Sequence, residues 1–168
     1  TVILNRQVQH MKSASLGFKK DNIAVIKLDL AYKNEKTAEA GFDAILNSLK
    51  NDTRVKSFST NDVVPTAYHN NYNTYYDIQT NKEINLRHVP ADADYFKTYE
   101  IPFAQGRPFQ NVALNIEKGN VIINRAAMKA FGWTSAIGKQ LKPKSSEEVF
   151  TVVGVTEDFN YSSLTGSI

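Results

Sequence analysis

Asp92 and Asp94 stand two residues apart, a spacing at which paired carboxylates can share a metal ion or divide acid and base roles. A simpler use is as caps for the short helix carrying Tyr95, Phe96 and Tyr99, whose rings then point inward. A second acidic pair, Glu157-Asp158, closes a strand and reads as a solvated turn. His10, His69 and His88 are far apart and lack the spacing of a zinc site. Gly138-Lys139 lacks the upstream glycine and the following Ser or Thr of a phosphate loop. Ser145-Ser146 and Ser162-Ser163 have neither a Gly-x-Ser-x-Gly frame nor a neighbouring histidine. The residues therefore nominate no catalytic group, no metal and no cofactor, and the expectation is a protein that is not an enzyme.

One cluster points to recognition. Tyr68, Tyr72, Tyr75 and Tyr76 lie among Asn70, Asn71 and Asn73. Tyrosine offers apolar area with a polar tip, and asparagine supplies adaptable hydrogen bonds, so these four form the candidate partner or ligand surface. Tyrosine is also favoured in half-exposed strands, which is the plainer explanation.

Composition narrows the classes. The 168 residues suit one domain or two small subdomains, and 42% hydrophobic with 11% aromatic content is enough to bury a core. The net charge is +3, but Arg6, Lys12, Lys19 and Lys20 all precede the first acid, Asp21, so the excess sits at the N-terminus. No basic patch interleaved with aromatics appears in the body, which argues against nucleic acid. Cysteine is absent, excluding disulfides and thiolate chemistry. No apolar run is long enough to span a bilayer, and the opening Thr1-Val2-Ile3-Leu4 reads as cut from something longer.

The elements follow from periodicity. Leu4, Val8 and Met11 fall at helical spacing, which predicts a short amphipathic helix up to Leu16-Gly17. Residues 23–30 and 55–60 read as strands around a helix whose stripe is Phe42, Ile45, Leu46 and Leu49, a βαβ-like unit. Tyr72, Thr74 and Tyr76 alternate with Asn73, Tyr75 and Asp77, and alternation resumes at Ile84 and Leu86, a hairpin with two mixed faces. Val121 to Ile123 is an apolar strand, and Asn124 caps a helix packing through Ala126, Ala127, Ala130 and Phe131 and ending at Gly132. Trp133 is read as closing the core. Residues 150–155 are apolar on both faces and belong in the centre of a sheet.

Three late phrases, in this order and spacing, carry a family resemblance: Asp94 to Phe109 with its Gly106-Arg107-Pro108-Phe109, Val121 to Leu141 with Phe131-Gly132-Trp133, and Phe150 to Leu164. The start, Gln7 to Lys12 followed by Leu16 to Ile26, fits as well. Together they resemble the extracytoplasmic core domain of MacB/FtsX-like ABC transporter permeases. The resemblance implies an α+β fold with a βαβ porter-like part and a strand-rich sabre-like part. Residues 1–20 are then a juxtamembrane helical segment, 21–64 the porter-like part, 65–160 the sabre-like part and 161–168 a C-terminal segment. Such chains usually continue into a second βαβ unit, so this one is expected to be either truncated or an abbreviated member, and the missing unit to leave a strand edge that favours a homodimer.

Functionally, the resemblance implies a non-catalytic domain on the periplasmic side of the inner membrane of a bacterium. It couples the ATP-driven motion of a cytoplasmic ATP-binding subunit to a periplasmic adaptor, an outer-membrane factor or a cargo, in efflux or in lipoprotein or peptide export. The alternative from the residues is a periplasmic ligand-binding or sensor module using the Tyr/Asn-rich surface.

Overall fold

The computed structural model describes residues 16–28, 35–61, 64–65, 71–110 and 117–160. The expected helix within 1–15, Tyr68, His10, His69, the end of the 23–30 segment and the segment 161–168 lie outside the described residues.

Helix α1 spans Glu35–Asn51. The hairpin strands β1 (Tyr72–Asp77) and β2 (Glu83–Arg87) come next, then the one-turn helix α2 (Tyr95–Thr98) and β3 (Phe103–Gly106). After them run β4 (Asn120–Asn124), helix α3 (Arg125–Phe131), β5 (Gln140–Pro143) and β6 (Phe150–Thr156). The fold is α+β. Among the described residues no helix is long and apolar enough to cross a membrane.

All six strands form one sheet, ordered β2-β1-β5-β6, with β3 and β4 also pairing β6. The pairs are antiparallel except β4 with β6, which is parallel. Because β4 follows β6 along Thr151–Thr156 on one edge, β5 at Phe150–Thr151 and β3 at Gly154–Thr156 share the other. This central position explains the unbroken apolarity of β6, whose Val152 and Val155 have no exposed surface.

Two cores occupy opposite faces of the sheet, as the pleat requires. Val121, Ile123 and Ala104 join the cluster around Phe131, Leu141, Val152 and Val155, whereas Ile122 and Phe103 join the cluster of Tyr95, Phe96, Tyr99, Ile101 and Phe159. Helix α3 covers the first face. The Asn124 side chain accepts the Ala127 N–H at 3.0 Å to start it, and Gly132, at φ 82°, ends it. Its buried residues are Ala127, Met128 and Phe131, while Ala130 is exposed, so Met128 takes the packing place expected of Ala130. Positions 127, 128 and 131 share a helix face, and 126 and 130 fall beside it.

The first unit departs from expectation. Residues 23–28 and 55–60 join no strand ladder among the described residues. Branched side chains alone do not make a strand without a partner edge and a covered face, and Val25 and Ile26 stand 54% and 64% exposed. Helix α1 forms as its spacing predicts, with Phe42, Ile45, Leu46 and Leu49 half-buried on one face.

Candidate partner surface

The tyrosines are sorted by the pleat of β1. Tyr72, Thr74 and Tyr76 share one face, opposite Arg87, Asn85 and Glu83 of β2, and Lys142 of β5 lies across from Tyr76. Tyr75 points to the other face, where it packs with Ile84 and Leu86 against the α3 core. Burial there pushes the Tyr75 phenol pKa up, and the His88 ring meets it edge-on at 6.4 Å. Tyr72 and Tyr76 thus share one face, Tyr75 is half-buried against the core on the other, and Tyr68 lies outside the described residues.

Among the described residues, the second core covers the β3-β6-β4 end of the sheet and no other element packs on the face that bears Tyr72 and Tyr76 at the β2-β1-β5 end, where Tyr72 is 50% exposed. The Arg87 guanidinium lies 4.7 Å above the Tyr72 ring, and its Nη2 donates to the Tyr72 hydroxyl. Beside Tyr76, Lys142 donates to Glu147; that carboxylate, with the Tyr76 hydroxyl, raises the lysine pKa above its ordinary value. Lys144 pairs with Glu83 at 3.1 Å. Charges of both signs around two rings make a surface suited to stacking and hydrogen bonding, and among the described residues no nucleophile and base are brought together on it.

The acidic pairs do other work than the sequence indicated. Asp94 holds the N-cap position of α2 but makes no side-chain cap hydrogen bond, since its backbone is already helical (φ −94°, ψ −4°). The Asp92 carboxylate reaches instead to Ser59 and Thr60, 33 and 32 residues away. Glu157 pairs with Arg125 at 2.6 Å, and Asp158 accepts the Ala126 N–H at 2.8 Å, so both organise the start of α3. Among the described residues no three His, Cys, Asp or Glu side chains gather as a metal site. An open depression of about 520 Å³ runs beside α3, lined by Arg125, Met128, Lys129, Trp133 and Asp158 among others.

A second feature is the base of the body, where the first and last described segments meet. Asn160 N–H donates to the Leu16 carbonyl at 2.8 Å, and Lys19 N–H donates to that of Tyr99 at 2.8 Å. Gly17 sits between them at φ 75°, where a Cβ would stand 2.6 Å from the Asp158 carbonyl, so only glycine permits this approach. Periodicity gives no sign of this junction, because it joins residues at opposite ends of the chain.

Solved structures share features of this fold. The periplasmic region of MacB from Actinobacillus actinomycetemcomitans matches with a TM-score of 0.50 and 20% identity, over 74% of this chain and 59% of that one. The extracellular domain of the noncanonic ABC-type transporter YknZ from Gram-positive bacteria gives 0.47 and 23%, over 69% and 57%. A domain of a putative permease protein from Porphyromonas gingivalis gives 0.45 and 20%, over 58% and 42%. The chain thus spans between 42% and 59% of the length of these three structures. No curated protein matches it significantly. The family model described as MacB-like periplasmic core domain matches residues 6–167, nearly the whole sequence, and the chain belongs to that family.

Proposed function

We propose that this chain is the extracytoplasmic domain of an ABC transporter permease. It performs no catalysis; it passes motion from a cytoplasmic ATP-binding subunit to a periplasmic partner or cargo. Residues 21–64 act as the porter-like part and 65–160 as the sabre-like part, and the open face carrying Tyr72 and Tyr76 receives the partner. The observation that carries this reading is the family match over residues 6–167.

The reading puts the domain on the periplasmic face of the inner membrane. An adaptor, an outer-membrane factor or an exported lipoprotein or peptide are the proposed occupants of its surface, and dimerisation belongs to the same proposal. These 168 residues hold no cysteine, so Tyr72→Cys, in a full-length protein cleared of any other cysteine, gives a single exposed thiol. In cells with a permeabilised outer membrane and an intact inner one, a membrane-impermeant maleimide is expected to label it. Labelling only after lysis would sink the proposed location. Saturable binding of a small molecule, lost on changing Tyr72 and Tyr76, would favour a ligand-binding module instead.

A further inference from the structure

Strand β2 is the last strand at one end of the sheet, and among the described residues no strand pairs its outer edge. The hydrogen bonds at both ends of the hairpin fix which way its backbone turns. Asp77 N–H donates to the Lys82 carbonyl at 3.1 Å and His88 N–H to that of Asn71 at 3.0 Å, and between them the register runs from Tyr76↔Glu83 to Tyr72↔Arg87. Antiparallel pairs alternate between bonded and non-bonded, so Ile84 and Leu86 turn their N–H and C=O toward β1, while Glu83, Asn85 and Arg87 turn theirs outward. Glu83 and Asn85 are exposed, and the side chains of all three lie on the face that bears Tyr72 and Tyr76. Outward-turned backbone groups along an exposed edge are a template for another strand.

The order of charges selects the incoming strand. Glu83-Ile84-Asn85-Leu86-Arg87 has an acid at one end, a base at the other and an amide midway. Laid antiparallel against itself about a two-fold axis at Asn85, it sets Glu83 of each copy opposite Arg87 of the other, and Asn85 opposite Asn85. All of these are outward-turned positions, so facing residues exchange backbone hydrogen bonds as well. Slipping the pairing by two residues sets Glu83 or Arg87 opposite Asn85, and slipping it by four sets like charges opposite, so the register at Asn85 is favoured. We propose that the β2 edge is a homodimer interface, across which two copies of this chain join their sheets and bring both Tyr72 and Tyr76 faces onto one side. This deepens the dimerisation put forward above by naming its interface. Five residues from each copy make a small contact, so the association is weak and concentration-dependent. Its test reads association of the chain alone and neither location nor transport, so the interface and the permease reading can each fail without the other.

With no native cysteine among the 168 residues, Asn85→Cys places one thiol in each copy, and residues facing across a bonded pair stand about 5.5 Å apart at Cα, within disulfide reach. Mild oxidation is expected to crosslink Asn85→Cys into a dimer and to leave Glu83→Cys monomeric, since its two thiols would be about 14 Å apart along the strands. Sedimentation from micromolar to millimolar concentration gives the second readout. Glu83→Arg and Arg87→Glu should each weaken self-association about tenfold, because each sets like charges opposite. An equimolar mixture of the two should associate as well as the unchanged chain, because every facing charge is then met by its opposite. Asn85→Pro removes an outward N–H without touching a bond to β1, and should abolish pairing with the circular dichroism unchanged. A monomer at every concentration, or equal crosslinking of Asn85→Cys and Glu83→Cys, overturns the interface. Charge variants that weaken association but are not rescued by mixing overturn it too, since the two edges then do not face each other in this register. If Arg87→Glu does not fold, the two cysteine variants decide between the same outcomes.

Discussion

The indole Nε1 of Trp133 donates to Oδ2 of Asp77 at 3.1 Å, and Asp77 has no exposed surface. The same carboxylate accepts the Thr80 hydroxyl at 2.8 Å and the Gln79 N–H at 3.0 Å, so it organises the β1–β2 turn while tying it to the residue that follows α3. Trp133 is stacked on Phe131 at 4.5 Å, which places its N–H for this bond. A charge so buried is tolerated because these three donors converge on it.

Acid should therefore weaken the fold through Asp77. Burial by itself would raise its pKa, but the hydrogen bonds from Thr80, Gln79 and Trp133, with the charge of Lys139, outweigh that and hold it below the usual carboxylate value. A depressed folded-state pKa contributes stability that is present above the unfolded value, about 3.9, and is lost as pH falls below it. Denaturation midpoints should fall below about pH 4, and Asp77→Asn should flatten that fall. Asp77→Ala at neutral pH leaves three donors without this acceptor and should cost about 3 kcal/mol, read by urea unfolding with Trp133 fluorescence.

Much of the sheet was legible. The period-2 alternation from Tyr72 to Asp77 predicts the hairpin, Asn124 and Gly132 predict the ends of α3, and residues 150–155 predict a central strand; each is a local pattern whose cause lies within a few residues. The roles of Asp92, Asp77 and Gly17 were not legible, because each depends on a group brought close only by folding. Asp94 misled for the opposite reason: a good capping type stands at the right place, but its backbone does not adopt a capping geometry. The tyrosine cluster was half legible, since alternation predicts that Tyr75 opposes Tyr72 and Tyr76 but not which face is left open.

The Tyr95 hydroxyl is a test of polar burial. Tyr95 is 1% exposed, and its oxygen has no hydrogen-bond partner among the described residues. Tyr95→Phe keeps the ring contacts with Phe96 and Tyr99 and removes an uncompensated hydroxyl. Stability should rise by about 1 kcal/mol in chemical denaturation, whereas Tyr95→Ala should lose about 4 kcal/mol through the cavity it leaves.

Glu100 adopts φ 49° just after α2, a left-handed conformation that side chains bearing a Cβ resist. Its ion pair with Lys19 at 2.7 Å is exposed and contributes little. Glu100→Gly should raise stability by about 0.5 kcal/mol, and Glu100→Val should lower it by about 1 kcal/mol. Thermal unfolding of the two variants side by side separates backbone strain from the ion pair, because both lose the carboxylate.

At the open face, Tyr72 and Arg87 should act as a unit. Tyr72→Ala and Arg87→Ala each remove the stacked contact, so their effects on capture of a partner should not add in the double variant. Fold stability should change by less than about 1 kcal/mol in Tyr72→Ala, since Tyr72 is 50% exposed. Pull-down from crosslinked membranes, scored beside unfolding midpoints, separates partner capture from folding; fully additive losses would show that the pair is not one binding feature.

The most direct test of the permease reading is to isolate the full-length native protein from its source cells after gentle crosslinking and ask what it travels with. Recovery in the inner-membrane fraction, with an ATP-hydrolysing subunit crosslinked to it, is the result expected. Recovery as a short soluble protein without an ATPase would contradict it.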